Sequence, residues 1–332
     1  MTPFAAAADL PPTRRLGVLD VGSNTVHLLL VDAHWGARPT PVTSRRWTLR
    51  LAEMIDSNGV LGAQGAADVV AAVSAAADGA RDLGCEELIA FATSAIRDAA
   101  DCDQVLAAVA AATDVDLHVL PGADEARLTF LAARRWFGWS AGNLLLLDIG
   151  GGSLEIAGGS DEQPAFAQSL PLGAGRLHRS WFAASPLSAP PGAAAVGDLH
   201  AHVAGELSPI TGELTAAGPF GRVVGTSKTF RTLARLAGAA PNEAGPLVPR
   251  SLTLPALRQV TAFISRMTPT DVGALDGVSD DRADQLVAGA AVALAAMEMI
   301  EAAFGVDRID ICPWALREGV ILERLDQIAF ES

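Results

Sequence analysis

Two stretches of the chain, about 130 residues apart, share one pattern of apolar and polar positions. "LGVLDVGSNTVHLLLVD" (residues 16–32) and "LLLLDIGGGSLEIAGG" (residues 144–159) each place an apolar run before an Asp, then a glycine-containing turn and a second apolar run. Apolar runs on both sides of such a turn predict a β-hairpin. The repeat therefore predicts a duplicated α/β domain with a cleft between the two halves.

Apolar periodicity predicts alternating helices and strands around these hairpins. A 3.6-residue period favours helices and short apolar runs favour buried strands. In the first half, the predicted helices cover residues 64–83 and 94–112, and the strands 87–93 and 116–120. After Pro121 and Gly122, the segment "ADEARLTFLAARRWF" has an acidic first turn and an apolar face. It predicts a helix that begins where the two halves meet.

The second half continues the alternation. Its predicted elements are a Pro/Ala/Gly-rich surface connection (185–197), a strand (222–224), a long helix (279–305), a strand (308–311) and a last helix (315–328). The most apolar part of the long helix, residues 286–300, is shorter than a membrane span and contains Glu298. It therefore predicts a buried helix rather than a transmembrane one.

Composition narrows the class of protein. A chain of 332 residues is long for one core and favours two domains. Its net charge of −14 argues against nonspecific binding to nucleic acid or anionic membranes. Cys85, Cys102 and Cys312 lack the spacing of a disulfide framework or a zinc site, and the first residues lack the pattern of a signal peptide. We therefore expect a cytoplasmic protein with no membrane or nucleic-acid partner.

The two glycine-containing turns are candidate phosphate loops. Backbone N–H groups at glycine turns can converge on an anion, and nearby hydroxyl and amide groups add donors. The candidate phosphate ligands are Gly22, Ser23, Asn24, Gly150, Gly151, Gly152 and Ser153. Asp148 and Glu155 supply hard oxygen ligands that suit Mg²⁺. A plain hairpin turn is the alternative for one loop alone, but the duplicated Asp-x-Gly turn disfavours it.

Charged residues near these turns are candidates for the chemistry. Glu125 lies in the first turn of the helix at the junction, where an acid either stabilises the helix dipole or serves as a general base. Arg97 follows a strand at the start of a helix, a position that often lines the cleft of an α/β sheet, and it is therefore a candidate phosphate ligand. Arg50 and Arg176 are further cations, and each taken alone is more typical of a surface charge than of a ligand.

Lys228 is the only lysine of the chain, and every other basic side chain except histidine is arginine. It follows the Gly-Thr-Ser turn of "VVGTSKTFRTLARL", at the predicted start of a helix whose free N–H groups face the cleft. A cation there is unfavourable unless an anion is near. We therefore expect Lys228 to be an auxiliary phosphate contact.

Seven ordered segments resemble the signatures of the exopolyphosphatase/guanosine pentaphosphate phosphohydrolase family. They are "DVGSN" (20–24), "ATSAIRDA" (92–99), "DEARL" (124–128), "DIGGGSLE" (148–155), "SLPLGAGRL" (169–177), "GTSKT" (225–229) and "ALREGVIL" (315–322). The resemblance spans nearly the whole chain. It implies an actin/Hsp70/sugar-kinase type α/β fold, in which two ribonuclease-H-like domains flank a phosphate-binding cleft.

The resemblance also assigns roles to residues. It implies that Glu125 is the catalytic base and that Asp148 and Glu155 bind Mg²⁺ or Mn²⁺. We add Asp20, at the end of the strand before the first turn, as a third candidate ligand. It places the first domain at residues 1–123, with the last helix (about 315–330) packed back on it, and the second at residues 124–314. Longer family members carry a C-terminal helical domain that is absent here, which favours shorter polyphosphates. Family members commonly form homodimers.

Several functions remain open at this point. The main prediction is release of terminal orthophosphate from polyphosphate by attack of a water that Glu125 orients. The second is removal of the terminal phosphate of guanosine pentaphosphate, whose anhydride is chemically similar. An ATP-binding kinase and a noncatalytic sensor of polyphosphate or alarmone are alternatives from other classes, because one fold hosts many functions.

Overall fold

The computed structural model describes residues 13–34, 36–56, 58–182 and 189–331, with side chains as far as residue 328. In this part of the chain, the strands form two mixed β-sheets. One sheet comes from the first half of the chain and the other from the second half. Both predicted hairpins are present, one in each sheet.

The first sheet is built around the first hairpin. Its strands are β1 (Arg14–Val21), β2 (Thr25–Ala33), β3 (Thr43–Thr48), β4 (Glu87–Ala92) and β5 (Leu117–Val119). Their spatial order is β3-β2-β1-β4-β5. β1 to β3 are antiparallel neighbours, whereas β4 is parallel to β1, and β5 to β4. The register pairs Asp20 with His27, so the two side chains lie on the same face of the sheet.

The second sheet repeats this arrangement and adds a strand. Its strands are β6 (Leu144–Ile149), β7 (Leu154–Gly159), β8 (Phe166–Leu170), β9 (Arg222–Gly225), β10 (Ser251–Thr253) and β11 (Arg308–Ile311). Their order is β10-β11-β9-β6-β7-β8, with β9 parallel to β6 and β11 parallel to β9. Asp148 pairs with Glu155. An antiparallel hairpin flanked by parallel strands therefore occurs twice, which confirms the predicted duplication.

Helices alternate with these strands. In the first half they are α1 (Leu51–Met54), α2 (Gly62–Asp82), α3 (Ser94–Arg97), α4 (Cys102–Ala112) and α5 (Gly122–Phe137). In the second half they are α6 (Ala174–Phe182), α7 (Ala193–Leu207), α8 (Thr211–Ala217), α9 (Lys228–Leu236), α10 (Leu254–Ile264), α11 (Pro269–Gly273), α12 (Leu286–Phe304) and α13 (Leu316–Glu331). The alternation confirms the predicted α/β class.

α12 is the central helix of the second half. By length and composition it could cross a membrane, but it packs against α6, α7 and α10, and 67% of its most apolar window is buried. Its apolar side chains belong to the largest hydrophobic cluster, together with Leu145 and Phe230. Burial on all sides explains a helix that is apolar all round. The predicted buried helix is confirmed over these residues.

α5 and α13 connect the two sheets. α5 contacts β6, β7 and β8 of the second sheet and packs along α13, which in turn contacts β1 of the first sheet. A hydrophobic cluster joins Leu16 and Phe91 of the first sheet with Leu128 of α5 and Ile321 of α13. The start of α5 and the start of α13 therefore both lie where the two sheets approach each other.

Three predicted boundaries were wrong. The helix predicted over residues 94–112 is interrupted between α3 and α4, because Asp101 turns its carboxylate to the backbone N–H groups of Leu61 and Gly62, both at 2.8 Å. The long helix begins at Leu286 rather than residue 279, since Asp280–Arg282 forms a separate 3₁₀ turn. Helix α7 occupies residues 193–197 of the predicted connection, and residues 185–188 of it lie outside the described part.

Candidate active site

A cavity of about 640 Å³ lies between the two hairpins, and we call it the central cavity. Residues from both sheets and from the starts of several helices line it. From the predicted set, it is lined by Asp20, Gly22, Ser23, Asn24, Glu125, Asp148, Gly150, Gly151, Ser153, Glu155 and Lys228. These residues are spread over more than 200 positions of the sequence, and the fold gathers them around one space.

The two glycine-containing turns touch each other at the cavity. Gly150 N–H donates to the Ser153 carbonyl at 2.9 Å, which closes the second turn. A Cβ atom on Gly152 would lie 2.4 Å from Ser94 Oγ, so only glycine permits this approach. The Ser94 hydroxyl is in turn 3.2 Å from that of Ser23 in the first turn. Gly152 thus packs the turns together but does not itself line the central cavity.

Glu125 lies in the first turn of α5, and only 9% of the residue is exposed. Its Oε2 accepts a hydrogen bond of 2.8 Å from Arg97 Nη1. Burial raises the pKa of Glu125 to about 7, against the lowering effect of Arg97, and repulsion from Asp20 and Asp148 adds to the rise. A carboxyl group with a pKa near neutrality is suited to general base catalysis at physiological pH.

Asp148 and Glu155 face each other across the second hairpin. Thr226 Oγ1 donates to Asp148 Oδ2 at 2.5 Å, and Ser169 Oγ donates to Glu155 Oε1 at 2.8 Å. Burial raises the pKa of both carboxyl groups. Repulsion from Glu125 and Asp148 further raises the pKa of Glu155.

Asp20 occupies the equivalent position of the first hairpin. Burial raises its pKa to about 6, although the Arg317 guanidinium acts in the opposite direction. The electrostatic influence of Asp148 on Asp20 links the two hairpins. Four carboxyl groups that repel one another around one space are the groups whose charge a bound cation would offset.

The arrangement of the acidic residues suits only one kind of Mg²⁺ site. The described residues contain no group of three His, Cys, Asp or Glu side chains placed to enclose a metal ion. Mg²⁺ does not need such an enclosure, because it usually binds one or two carboxylates, water and the phosphate oxygens of a substrate. The hard oxygen donors of Asp148 and Glu155 suit that kind of site.

Arg97 differs in position from the other predicted phosphate ligands. It lines an adjoining cavity of about 480 Å³, together with Gly122 and Gln168. Its Nη1 donates to Glu125 and to the Leu120 carbonyl, at 2.8 and 3.1 Å. Arg97 therefore holds Glu125 from the adjoining cavity.

The other predicted cations take different positions. Lys228 lines the central cavity, where its Nζ lies 3.2 Å from Asp281 Oδ1, and burial lowers the pKa of its ammonium group. Arg50 also lines it and has a left-handed backbone, with φ of 52°. Arg176 donates to the Gly152 carbonyl at 2.9 Å and does not line the central cavity.

Sequence reasoning missed four arginines and a histidine of the cavity wall. The missed residues are His27, Arg46, Arg231, Arg282 and Arg317. Arg231 carried a usable signal, because it lies three residues after Lys228 on the same helix and so shares its face. Arg317 lies within the quoted "ALREGVIL" segment, but nothing in that pattern says where its side chain points.

The wall of the central cavity thus has acidic and basic parts. Six carboxyl groups, of Asp20, Glu125, Asp148, Glu155, Asp280 and Asp281, form the acidic part, and six Lys and Arg side chains supply positive charge. Among the described lining residues other than His27, none is aromatic, and Ile149, Ala315 and Leu316 are the apolar ones. Such a wall suits a ligand with many negative charges and little apolar surface.

Known proteins resemble the chain over most of its length. The model of the Ppx/GppA phosphatase family matches residues 30–328. The chain is 55% identical over 315 residues to exopolyphosphatase 1 of Mycobacterium tuberculosis, which covers 95% of this chain and 89% of that protein. Exopolyphosphatase 1 of Mycobacterium leprae is 54% identical over 315 residues, with 95% and 91% covered.

A solved structure shares the fold. The crystal structure of an exopolyphosphatase from Cytophaga hutchinsonii matches with a TM-score of 0.82 and 24% identity, covering 95% of this chain and 99% of that chain. Together with the two mixed sheets, this likeness confirms the two-domain α/β architecture expected from the resemblance. From the family match and the mycobacterial relatives, we conclude that the chain belongs to the Ppx/GppA phosphatase family.

Proposed function

We propose that the protein is an exopolyphosphatase that releases terminal orthophosphate from inorganic polyphosphate. The observation that carries the proposal is the position of Glu125: a buried carboxyl group with a pKa near 7 lies in the wall of a cavity that six Lys and Arg side chains also line. The 55% identity to a mycobacterial exopolyphosphatase supports the same activity.

The reaction requires a positioned water molecule and neutralisation of phosphate charge. In the proposed mechanism, Glu125 orients a water molecule and accepts its proton as the water oxygen attacks the terminal phosphorus atom. The bond between that phosphorus and the bridging oxygen breaks, and its electron pair stays with the shortened chain. Ser23, Asn24, Ser153 and the backbone N–H groups of the glycine turns would bind the terminal phosphate oxygens.

We further propose a divalent cation, Mg²⁺ or Mn²⁺, at the acidic part of the cavity. Asp148 and Glu155 would hold it, with Asp20 as the third candidate ligand. When bound, the cation would offset the negative charge of the phosphate oxygens. The buried carboxyl groups support this role, because their mutual repulsion is relieved when a positive charge lies among them.

The character of the wall favours polyphosphate over guanosine pentaphosphate. A guanine base is generally bound by stacking and by an apolar pocket with a few polar groups. The described wall offers three apolar residues, no Phe or Trp, and six cations. A substrate composed of phosphate alone needs no such pocket, and we therefore propose polyphosphate as the preferred substrate.

The experiment is a comparison of kcat/KM for polyphosphates of graded length and for guanosine pentaphosphate, each with Mg²⁺ and with a chelator. Discrimination between substrates is measured by this ratio. The proposal predicts metal-dependent release of phosphate with a higher ratio for polyphosphate. A higher kcat/KM for guanosine pentaphosphate would identify the protein as a guanosine pentaphosphate hydrolase instead. No phosphate release from either substrate would refute both activities. The cytoplasmic location and the homodimer remain predictions.

A further inference from the structure

Arg317 enters the central cavity from the first turn of α13, and the protein uses few of its donors. Nη1 donates to His27 Nδ1, whereas Nε is buried without a hydrogen-bond partner in the described part of the chain. The carboxylate nearest to it among the described residues is that of Asp20, with 3.6 Å between Nη1 and Oδ2. Because Nε is shielded, a ligand in the cavity would reach the terminal Nη groups of the guanidinium rather than Nε.

Arg97 and Arg317 differ in how many of their guanidinium donors are already bonded to the protein. Arg97 has its guanidinium bonded to Glu125 and Asp98 and to a backbone carbonyl, and it lies outside the central cavity. Arg317 lines the central cavity and has no carboxylate within hydrogen-bond distance among the described side chains. A planar guanidinium with unused N–H groups matches the oxygen atoms of a phosphate.

His27 fixes the direction of the Arg317 side chain. His27 Nδ1 accepts from Arg317, while Nε2 lies 2.7 Å from Ser44 Oγ and 3.5 Å from Arg46 Nε. Only 4% of His27 is exposed, and β2 and β3 hold the two partners in neighbouring strands. The pair therefore acts as a rigid support behind a long, flexible side chain.

Close packing of α13 on α5 sets the depth at which Arg317 enters. A Cβ atom on Gly319 would lie 2.0 Å from the Leu128 carbonyl oxygen, so the two helices touch through backbone atoms. Leu128 lies one turn after Glu125 on α5, and Gly319 lies two residues after Arg317 on α13. One contact thus fixes the helix that carries the proposed base relative to the helix that carries Arg317.

Ion pairs hold α13 along the rest of its length. Arg127 of α5 lies 2.8 Å from Glu323, and Arg135 of α5 lies 2.6 Å from Asp326. These pairs are partly exposed and each contributes little alone, but together they restrict sliding of α13 along α5. The start of α13 is therefore positioned from both sides.

We propose that Arg317 is a catalytic residue that binds a phosphate group of the polyphosphate chain in the central cavity, and that His27 is a positioning residue for it. The proposal rests on the proposed function for its substrate class. Arg317 would act through its charge and its N–H donors. Its fixed charge would stabilise the negative charge that develops on phosphate oxygens as the anhydride bond breaks.

The test compares Arg317→Ala and Arg317→Lys with Arg324→Gln, a control on the same helix whose arginine binds Glu87. Loss of a preorganised donor typically costs about 100-fold or more in rate, so Arg317→Ala should lower kcat/KM for polyphosphate by about that factor. Arg317→Lys should recover part of it, and added guanidinium ion should raise the rate of Arg317→Ala about tenfold or more. Arg324→Gln should stay close to wild type.

His27 is tested by a matched pair of variants. Asn at position 27 can still present an acceptor to Arg317, whereas Leu cannot. His27→Leu should lower kcat/KM about tenfold, and His27→Asn should lose clearly less. Equal losses in the two variants, or added guanidinium that fails to rescue Arg317→Ala, would overturn the proposal.

A binding measurement separates this proposal from the proposed function. Calorimetric titration with tripolyphosphate should give a Kd that is about tenfold weaker or more for Arg317→Ala than for wild type, with Arg324→Gln unchanged. If wild type released no phosphate from any polyphosphate, the proposed function would fail, and this binding comparison would still decide the role of Arg317. Equal Kd values for wild type and Arg317→Ala would overturn it.

Discussion

Arg97, which lines the adjoining cavity, donates a hydrogen bond of 2.8 Å to Glu125 in the wall of the central cavity. The contact has two effects on the carboxyl group. It fixes the orientation of the carboxylate, and it lowers the pKa of Glu125, which burial raises to about 7. A proposed base that must be ionised near neutral pH thus depends on a neighbouring cation to remain so.

Replacement of Arg97 should therefore shift the pH dependence of the reaction. Wild type should lose kcat/KM about tenfold per pH unit below a pH near 7, because only the ionised form of Glu125 accepts a proton. In Arg97→Gln the pKa of Glu125 rises, and the acidic limb should move up by about one pH unit or more. Arg308→Gln, a surface arginine that is 59% exposed, is the control. A limb that stayed in place would contradict the effect of Arg97 on Glu125.

Protonation of His27 should weaken the fold in acid. Burial, aided by Arg317 and Arg46, lowers the pKa of His27 to about 3. His27 is therefore protonated below about pH 6.5 in the unfolded state but stays neutral in the folded state down to about pH 3. The free energy of unfolding should fall by about 1.4 kcal/mol per pH unit between these two values as the pH drops. Denaturant unfolding at several pH values should show a shallower loss for His27→Asn. Parallel losses in the two proteins would contradict the pKa shift.

The contact between Gly319 and Leu128 should be sensitive to a single methyl group. Gly319→Ala must push α13 away from α5, and overpacking of this kind typically costs about 1–3 kcal/mol of unfolding free energy. Because Arg317 moves with the helix, kcat/KM should fall even where the variant is folded. Gly205→Ala on α7, where no described atom outside the helix backbone lies within 4 Å of the added Cβ, is the matched control and should retain activity. Wild-type activity in Gly319→Ala would contradict the close packing.

Removal of the divalent cation should abolish phosphate release. The carboxyl groups of Asp148 and Glu155 and the anionic substrate repel each other without it. Asp148→Asn should raise the concentration of Mg²⁺ needed for half-maximal activity about tenfold or more, since it removes a charged ligand. Asp114→Asn, at a fully exposed side chain, should not change that concentration. Full activity in the presence of a chelator would refute the metal proposal.

The sequence predicted the parts of the site that follow from local pattern. Apolar periodicity and turn residues predict the two hairpins and the helix that begins at Gly122. These elements bring Asp20, Asp148 and Glu125 to the wall of one cavity. The resemblance of seven ordered segments named the family, and the family model confirms it. Local pattern was sufficient for these three residues, because each sits at a fixed point beside a turn or in the first turn of α5.

The direction of long side chains could not be predicted in the same way. Arginine occurs throughout the chain, so an arginine in the sequence says little about where its side chain lies. Arg97 binds Glu125, whereas Arg317 lines the central cavity. The break between α3 and α4 was also beyond local pattern. It depends on a contact of Asp101 with Leu61 and Gly62, some 40 residues earlier in the chain.

The most direct test of the central claim is the initial rate of orthophosphate release from polyphosphate by wild type and by Glu125→Gln, with Mg²⁺ present and folding checked by circular dichroism. Glutamine keeps the size of the side chain and can still hydrogen-bond but cannot accept a proton. General base catalysis contributes about 100-fold to 10,000-fold, so the variant should lose at least about 100-fold in kcat. A folded Glu125→Gln variant with a rate near that of wild type would contradict the assignment of Glu125 as the base.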